Sequence, residues 1–452
     1  MQVIVIGVGY VGLNTAAALA YLGHDVLGID NDAKKVAMLQ NRRPPISEEG
    51  LEELLALDLK LKFSQELAVG LDNADVIFIA VGTPSREDGS ANIDYVYDAA
   101  RELGQKLKPS KDQCIVLKST VPIGVNEHVE SLIRKAVVER GYDDALLHFA
   151  SSPEFLREGR ALSDTFYPDR ILIGTDDDYA FNILEKLYKR IISRDFAHPS
   201  FLEALKELPN SQIIRSDRVS AEMIKYASNA FLALKISFIN EISVLCEALG
   251  ADVNDVSKGM GLDRRIAPYF LKAGLGWGGS CFPKDTLALM SMAEDYGIEL
   301  PLIEGARRVN EEQLTRVVRK VQAELKTLAG KKIAVLGISF KPLTDDVRNS
   351  PAVDLAMQLR DLGADVFMHD PVGVSNARAV YGDTGLHFCD SVQELCTDSV
   401  CSILATDWNE YRRLDFADLA KRTKQPIMVD ARNFLDRDTV EESGWYYLGF
   451  GR

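Results

Sequence analysis

The sequence predicts an α/β protein: two doubly wound parallel-sheet domains joined by a long central helix within a helical region. Three observations carry this. Short apolar runs alternate with helical stretches in both halves of the 452-residue chain, the pattern of buried parallel strands. A glycine turn follows the leading strand of each half, GVGYVG at 7–12 and GISFKP at 337–342. Between them, residues 218–250 hold neither proline nor glycine before Gly250 and are apolar on most sides. The expected divisions are 1–210, 211–310 and 311–452.

The composition, 46% hydrophobic and 26% charged, is that of a soluble globular protein. A net charge of −15 argues against nucleic acid and acidic membranes as partners, while leaving anionic small molecules to a local basic pocket. The cysteines at 114, 246, 281, 389, 396 and 401 form no CxxC pair, and the six histidines are scattered, so no metal site is expected. The first residues lead straight into a strand, and no apolar run reaches membrane-spanning length. A cytoplasmic protein with reduced thiols is the expectation.

Taken in order, VIVI and its flanks form the first strand. Gly7, Gly9, Tyr10, Val11 and Gly12 follow, then a helical stretch closed by Gly23 and a strand, DVLGID, ending at Asp30. Strand, GxGxxG, helix, strand and acid together make a dinucleotide-binding unit, in which glycines admit a pyrophosphate to a helix N-terminus. Asp30 would bond the ribose hydroxyls, which selects NAD over NADP. Lys35 reaches either a phosphate or ribose, or only solvent. The runs at 74–84 and 113–122 break into small and hydroxyl residues where parallel strands end, which makes Thr83 and Thr120 cofactor or active-site hydroxyls, or simple turn and cap residues. In 146–161 a strand runs into a polar loop. Its Glu154 and Glu158 would share a face if the loop turned helically; otherwise they decorate an exposed turn. DRILIG (169–174) adds a strand, and 194–211 reads as a short amphipathic helix.

On the long helix, Lys225 and Asn229 are one turn apart and costly in a dry core without partners. They suit an oxyanion or a substrate hydroxyl, or else satisfy each other structurally. GLGWGGSCFPKD (274–285) is a glycine-rich loop where backbone can approach a ligand, followed by a helix that Pro283 opens and Gly297 ends. Cys281 falls at its N-cap, where the helix dipole favours thiolate, and Asp285 falls on the same face. Cys281 is thus either a covalent nucleophile or a small capping thiol. Beyond the exposed helix at 301–328, the second sheet begins. GISFKP is not GxGxxG, so this domain should hold another ligand or hold the same type differently, and Lys341 and Arg348 give it positive charge.

Assembled, GVGYVG, VGTP, STVPIG, PEFLREGRA, AEMIKYASNAFLALKISFINE, GLGWGGSCFPKD and GISFKPLTDDVRNSP resemble the UDP-glucose/GDP-mannose dehydrogenase family along nearly the whole chain. PDRILIG and RRIAPYFLKAG favour its UDP-glucose branch over GDP-mannose or UDP-N-acetyl-hexosamine. Two departures border the sugar-nucleotide site: Ala267 where the family usually has Gly, and Trp277 where Tyr or Phe is common. The resemblance implies a two-step, NAD-dependent oxidation of a sugar nucleotide at C6, with Cys281 as nucleophile. Lys225, Asn229 and Asp285 would serve oxyanion and proton, and Thr120 and Glu154 a catalytic water. Glu158, Lys284 and Arg348 would approach NAD. Phe155, Leu156, Phe270, Leu271, Lys272, Ala273, Gly274, Gly278 and Lys341 would hold the sugar nucleotide. Arg265 would enter the site of a second subunit, which implies a homodimer or higher homo-oligomer. Two other readings stay open: a single-step 3-hydroxy-acid dehydrogenase, which needs neither Cys281 nor a second sheet, and a silent NAD-binding regulator.

Overall fold

The computed structural model describes residues 1–202 and 211–452. These divide into two compact units, Met1–Ala227 and Ser228–Arg452. Residues 203–210 of the amphipathic helix expected at 194–211 lie outside the described residues.

The first unit holds β1 (Gln2–Ile6), β2 (Asp25–Ile29), β3 (Leu61–Ser64), β4 (Val76–Ile79), β5 (Gln113–Leu117), β6 (Leu147–Ser151), β7 (Arg170–Gly174) and β8 (Gln212–Ser216). They form one sheet in the order β3-β2-β1-β4-β5-β6-β7-β8. Every pairing is parallel except the single antiparallel contact Ser151–Gly174 between β6 and β7. Side chains alternate across the pleat, so Val3 and Val5 enter one core while Ile4 and Ile6 enter the other. Burial on both faces is why these strands read as unbroken apolar runs.

The second unit repeats the plan with β9 (Lys332–Leu336), β10 (Asp365–His369), β11 (His387–Phe388), β12 (Cys401–Leu404), β13 (Ile427–Asp430) and β14 (Tyr446–Leu448). Their order is β11-β10-β9-β12-β13-β14, all parallel. Ile333 and Val335 face one core, Ala334 and Leu336 the other. The long helix runs Arg218–Leu249, so the boundary between the units falls inside it. Among the described residues no helix is long and apolar enough to cross a membrane.

Candidate active site

In the first unit the helix after β1 is Tyr10–Tyr21, beginning directly after Gly9 and several residues earlier than the apolar stretch suggested. The three motif glycines have different reasons to be glycine. Gly7 has φ +89°, and a Cβ there would meet the Ala80 carbonyl at 2.8 Å. A Cβ on Gly12 would lie 1.8 Å from the Gly7 oxygen. At Gly9 an added Cβ meets nothing within 4 Å. Gly9 is therefore the open cradle, capping a helix with no acidic residue in its first turn. That is where a pyrophosphate is favoured, so the residues present fit a dinucleotide.

Asp30, just after β2, accepts from Val8 N at 3.0 Å and from Asp32 N at 3.0 Å. A carboxylate has about four acceptor sites, so capacity for ribose hydroxyls remains. Lys35 Nζ stands 4.0 Å from Asp30, which places it beside the acid. Thr83 donates to the Thr120 carbonyl at 2.9 Å, tying the ends of β4 and β5 together.

Beyond β6 the backbone at 152–158 is not helical, so Glu154 and Glu158 do not share a helix face as considered from their spacing. Glu154 instead turns back on its own loop, accepting from Leu156 N, and binds Lys225 Nζ at 2.9 Å. Both partners are buried. Lys225 also sits 5.4 Å above the Phe155 ring, whose other neighbour is Arg170 at 3.7 Å.

Two charged groups near this pair were not singled out from sequence. Lys118 directly follows the fully buried β5 and is itself buried; desolvation, partly offset by Glu154, pushes its ammonium down to about 8. A lysine closing a fully buried strand was the available signal. Glu222, one turn before Lys225, accepts from Gly124 N at 3.0 Å and Asn126 N at 3.3 Å, and burial pushes its carboxyl up to about 7. The need for an anchor at the start of the helix Val125–Glu139 is a tertiary fact that no local pattern encodes.

In the second unit Cys281 is the N-cap of the helix Phe282–Asp295, with Pro283 its second residue rather than its first. The Cys281 and Ser280 side chains are 3.6 Å apart. Asn229 donates to the buried Asp285 carboxylate at 2.6 Å, and Lys284 pairs with the other oxygen of that carboxylate. Cys281 is half-buried, whereas burial pushes Cys389 and Cys396 up to about 11 and Cys401 to about 12, which leaves those thiols protonated and inert.

The glycines of the loop before Cys281 are required by close packing within the second unit. A Cβ on Gly274 would meet the Ala431 oxygen at 2.5 Å, on Gly276 the Asn310 side chain at 2.4 Å, and on Gly278 the Asn349 oxygen at 2.3 Å. On Gly279 it would strike the Phe340 ring at 2.5 Å. These glycines let the loop lie close against backbone and side chains of the second unit itself. Arg432, half-buried and absent from the expected set, fixes the loop by donating to the Gly276 carbonyl at 2.7 Å. Trp277 donates its indole N–H to Ser237 at 3.0 Å, a partner that suits Trp at this buried position.

The side chains of Leu271 and Ala273 belong to a core with Ile239, Cys246 and Val253, so a ligand could meet only their backbone. Phe270 has φ +62° and its ring centre lies 6.1 Å from that of Phe282. Ala267 has φ +60°, the left-handed region that favours glycine, which is why glycine suits this turn. Lys272 pairs with Asp407 at 2.8 Å, and Lys341 sits 5.3 Å above the Phe340 ring. Arg348 forks onto Asp346, and Arg265 onto Asp263 with its side chain 88% exposed.

One unit thus carries a dinucleotide cradle and the other a half-buried cysteine beside a buried acid–amide pair, which defines an NAD-dependent dehydrogenase built on two Rossmann-like sheets. The chain belongs to the UDP-glucose/GDP-mannose dehydrogenase family. Its NAD binding domain matches residues 1–192, its central domain 219–312 and its UDP binding domain 334–437. UDP-glucose 6-dehydrogenase of Rhizobium meliloti (strain 1021) is 42% identical, with all of both chains covered. UDP-glucose 6-dehydrogenase YwqF of Bacillus subtilis (strain 168) is 42% identical over all of this chain and 98% of its own. Among solved structures, a UDP-glucose dehydrogenase from Pyrobaculum islandicum superposes with a TM-score of 0.86 at 39% identity, covering 99% of this chain and 97% of its own. A UDP-D-ManNAc dehydrogenase from Pyrococcus horikoshii follows at TM-score 0.82 and 26% identity, covering 100% of this chain and 99% of its own.

Proposed function

We propose that the chain oxidises the C6 hydroxyl of UDP-glucose to a carboxylate, giving UDP-glucuronate through a covalent intermediate on Cys281. The observation that carries this reading is Cys281 at a helix N-cap, one turn before an Asp285 already bound to Asn229. Full-length relatives named UDP-glucose 6-dehydrogenase, at about 40% identity, support the sugar and the base. GDP-mannose and UDP-N-acetyl-hexosamines are the alternatives.

Gly9, the N-terminus of the helix Tyr10–Tyr21 and Asp30 would hold NAD, which when bound accepts one hydride in each of the two oxidations. Lys225 offers positive charge to the C6 oxygen as its proton leaves. The sulfur of Cys281 adds to the aldehyde carbon, giving a thiohemiacetal that prevents the aldehyde from escaping. Oxidation of that carbon leaves a thioester. Water, positioned by Thr120 and Glu154, adds to the thioester, and the C–S bond breaks to return Cys281. Asn229 and Lys225 stabilise the oxyanions, and Asp285 carries a proton. Lys284, Glu158 and Arg348 serve the cofactor; Lys272, Lys341 and the backbone of 270–274 serve the sugar nucleotide.

This reading keeps the divisions 1–210, 211–310 and 311–452 and a cytoplasmic location, where Cys281 stays reduced. It also takes the enzyme as a homodimer in which Arg265 reaches the other subunit's substrate. Phe231, Phe238 and Leu245, exposed at seven-residue intervals on the long helix, support an apolar face for a second copy.

The test is stoichiometry. Wild type should yield two NADH per UDP-glucose, with lower kcat/KM on GDP-mannose and the N-acetylated sugars. Cys281→Ser should accumulate a covalent sugar adduct seen by intact mass, and Cys281→Ala should lose steady-state turnover by at least about 1,000-fold without an adduct. One NADH per sugar, or normal turnover in Cys281→Ala, refutes the covalent mechanism.

A further inference from the structure

The mechanism needs Cys281 held in place, yet the chain from Gly274 to Cys281 lies in no helix or strand. Its backbone polar groups must therefore find partners elsewhere. Several come from one element, the helix Pro301–Leu325 of the same unit. Asn310 spends its whole side-chain amide on Trp277, just ahead of Cys281. Its Oδ1 accepts from Trp277 N at 2.8 Å, and its Nδ2 donates to the Trp277 carbonyl at 2.9 Å. Only this orientation of the amide sets donor against acceptor at both ends.

One turn earlier on the same helix face, Arg307 holds the other side of Cys281. Its Nη1 donates to the Thr286 hydroxyl at 3.0 Å and reaches the Pro283 carbonyl at 3.4 Å. The Thr286 hydroxyl in turn donates to the Phe282 carbonyl at 2.7 Å. Phe282 and Pro283 directly follow Cys281, so Arg307 grips the first turn of the cysteine's own helix. Glu311, exposed, stands 3.6 Å from the same guanidinium. A third tie runs through the Trp277 indole: the Ser237 hydroxyl that accepts from it at 3.0 Å donates to the Ala306 carbonyl at 2.6 Å.

The chain before the thiol and the chain after it are thus fastened to one helix of 25 residues. Two consequences follow for a nucleophile. A displacement of about 1 Å costs on the order of 100-fold in rate. A helix N-cap favours thiolate only while the first turn keeps its N–H groups aimed at the sulfur.

We propose that Asn310 and Arg307 are positioning residues for Cys281: one helix grips the chain on both sides of the thiol and holds it at the N-terminus that favours its thiolate. This rests on the role proposed above for Cys281.

The thiol can be read directly. Cys281 is half-buried and the other cysteines are buried, so iodoacetamide addition located by peptide mass reports Cys281. Its rate at neutral pH divided by its limiting rate at high pH measures the thiolate fraction, while the limiting rate alone measures access. Asn310→Ala and Arg307→Met should each lower that ratio at least about threefold. Each should lower kcat at least about tenfold, with KM for UDP-glucose and for NAD within about twofold. Thr286→Val keeps the shape of a buried side chain and removes only the hydroxyl between Arg307 and the Phe282 carbonyl. It should move both quantities the same way by about twofold, and it decides the matter if the other variants fail to fold.

A fall in Tm with the ratio and kcat at wild-type values would overturn the proposal, since the helix would then merely pack against the loop. Wild-type values of all three would overturn it equally. One NADH per sugar in the wild type, together with a lowered ratio in the variants, would instead refute the covalent mechanism and leave the positioning of Cys281 standing.

Discussion

The two sheets are built to one plan and differ at the first turn. Each has the same central strand order, and each opens with a glycine at positive φ, Gly7 at +89° and Gly337 at +108°. Each second strand is followed by an aspartate. In the first unit a helix starts at Tyr10, immediately after the open Gly9. In the second, the position of Gly9 is taken by Ser339, wholly buried, and the next helix begins only at Pro351. The aspartates differ as sharply. Asp30 accepts from two backbone N–H groups. Asp370 accepts from Ile338, Ser339, Val372 and Gly373 backbone N–H groups and from the Trp408 indole. The first acid keeps capacity for a ligand, while the second is consumed in holding its own loop. Strand order sets up the crevice; the loop and the acid's spare lone pairs decide what enters it.

The strongest test of this contrast exchanges effects between paired glycines. Gly9→Asp adds a side chain where none is opposed and puts a carboxylate at a helix N-terminus, which by itself stabilises. NAD affinity should nonetheless fall at least about 100-fold, because that carboxylate sits where the pyrophosphate charge would be. Its Tm should stay level or rise. Gly337→Ala should do the reverse: at φ +108° the new Cβ would lie 2.4 Å from that of Thr406, costing roughly 3 kcal/mol or more. NAD binding measured by titration calorimetry below the melting range should be nearly unchanged. A Gly9→Asp variant that binds NAD normally would remove the cradle from the first sheet.

The paired acids give a smaller effect of the same kind. Asp30→Asn should weaken NAD about tenfold and narrow its advantage over NADP, with little change in Tm. Asp370→Asn turns an amide N–H₂ toward donors that need an acceptor, and should cost about 2–3 kcal/mol in stability while leaving the cofactor preference alone. Equal loss of stability in both variants would mean that Asp30 too is chiefly a structural acid.

This contrast also marks how far the sequence could be read. Buried strands announce themselves, since β1, β4, β5 and β12 are apolar at nearly every position. The edge strands β3, β8 and β11 carry Lys62, Arg215 and His387, and nothing in such short polar segments separates them from loop. GxGxxG was legible because its spacing binds turn to helix. The glycines at 274–279 read as room for backbone to approach a ligand, and what excludes a side chain there, Ala431, Asn349 and Phe340, lies far away in sequence. The same limit hid Lys118 and Arg432. Each is one charged residue at the end of an apolar run, and its meaning lies in Ser152 and Gly276, which only folding brings near.

The smallest effect concerns Ser339 itself. Its N–H donates to Asp370 at 2.9 Å and its carbonyl accepts from Thr406 at 2.6 Å, so its backbone is fully used. Its hydroxyl has no hydrogen-bond partner among the described residues and is 0% exposed. A buried hydroxyl without a partner costs free energy that a methyl group does not. A Cβ on Gly373 would lie 2.6 Å from this hydroxyl, so the site is also tight, and removing an atom relieves crowding rather than opening a cavity. Ser339→Ala should therefore raise stability by about 0.5–1 kcal/mol in denaturant unfolding, with kcat and the KM for UDP-glucose both unchanged. The opposite pattern, weaker sugar-nucleotide binding with no gain in stability, would mean that the loop opens in solution and that Ser339 serves the ligand of the second sheet as Gly9 serves that of the first.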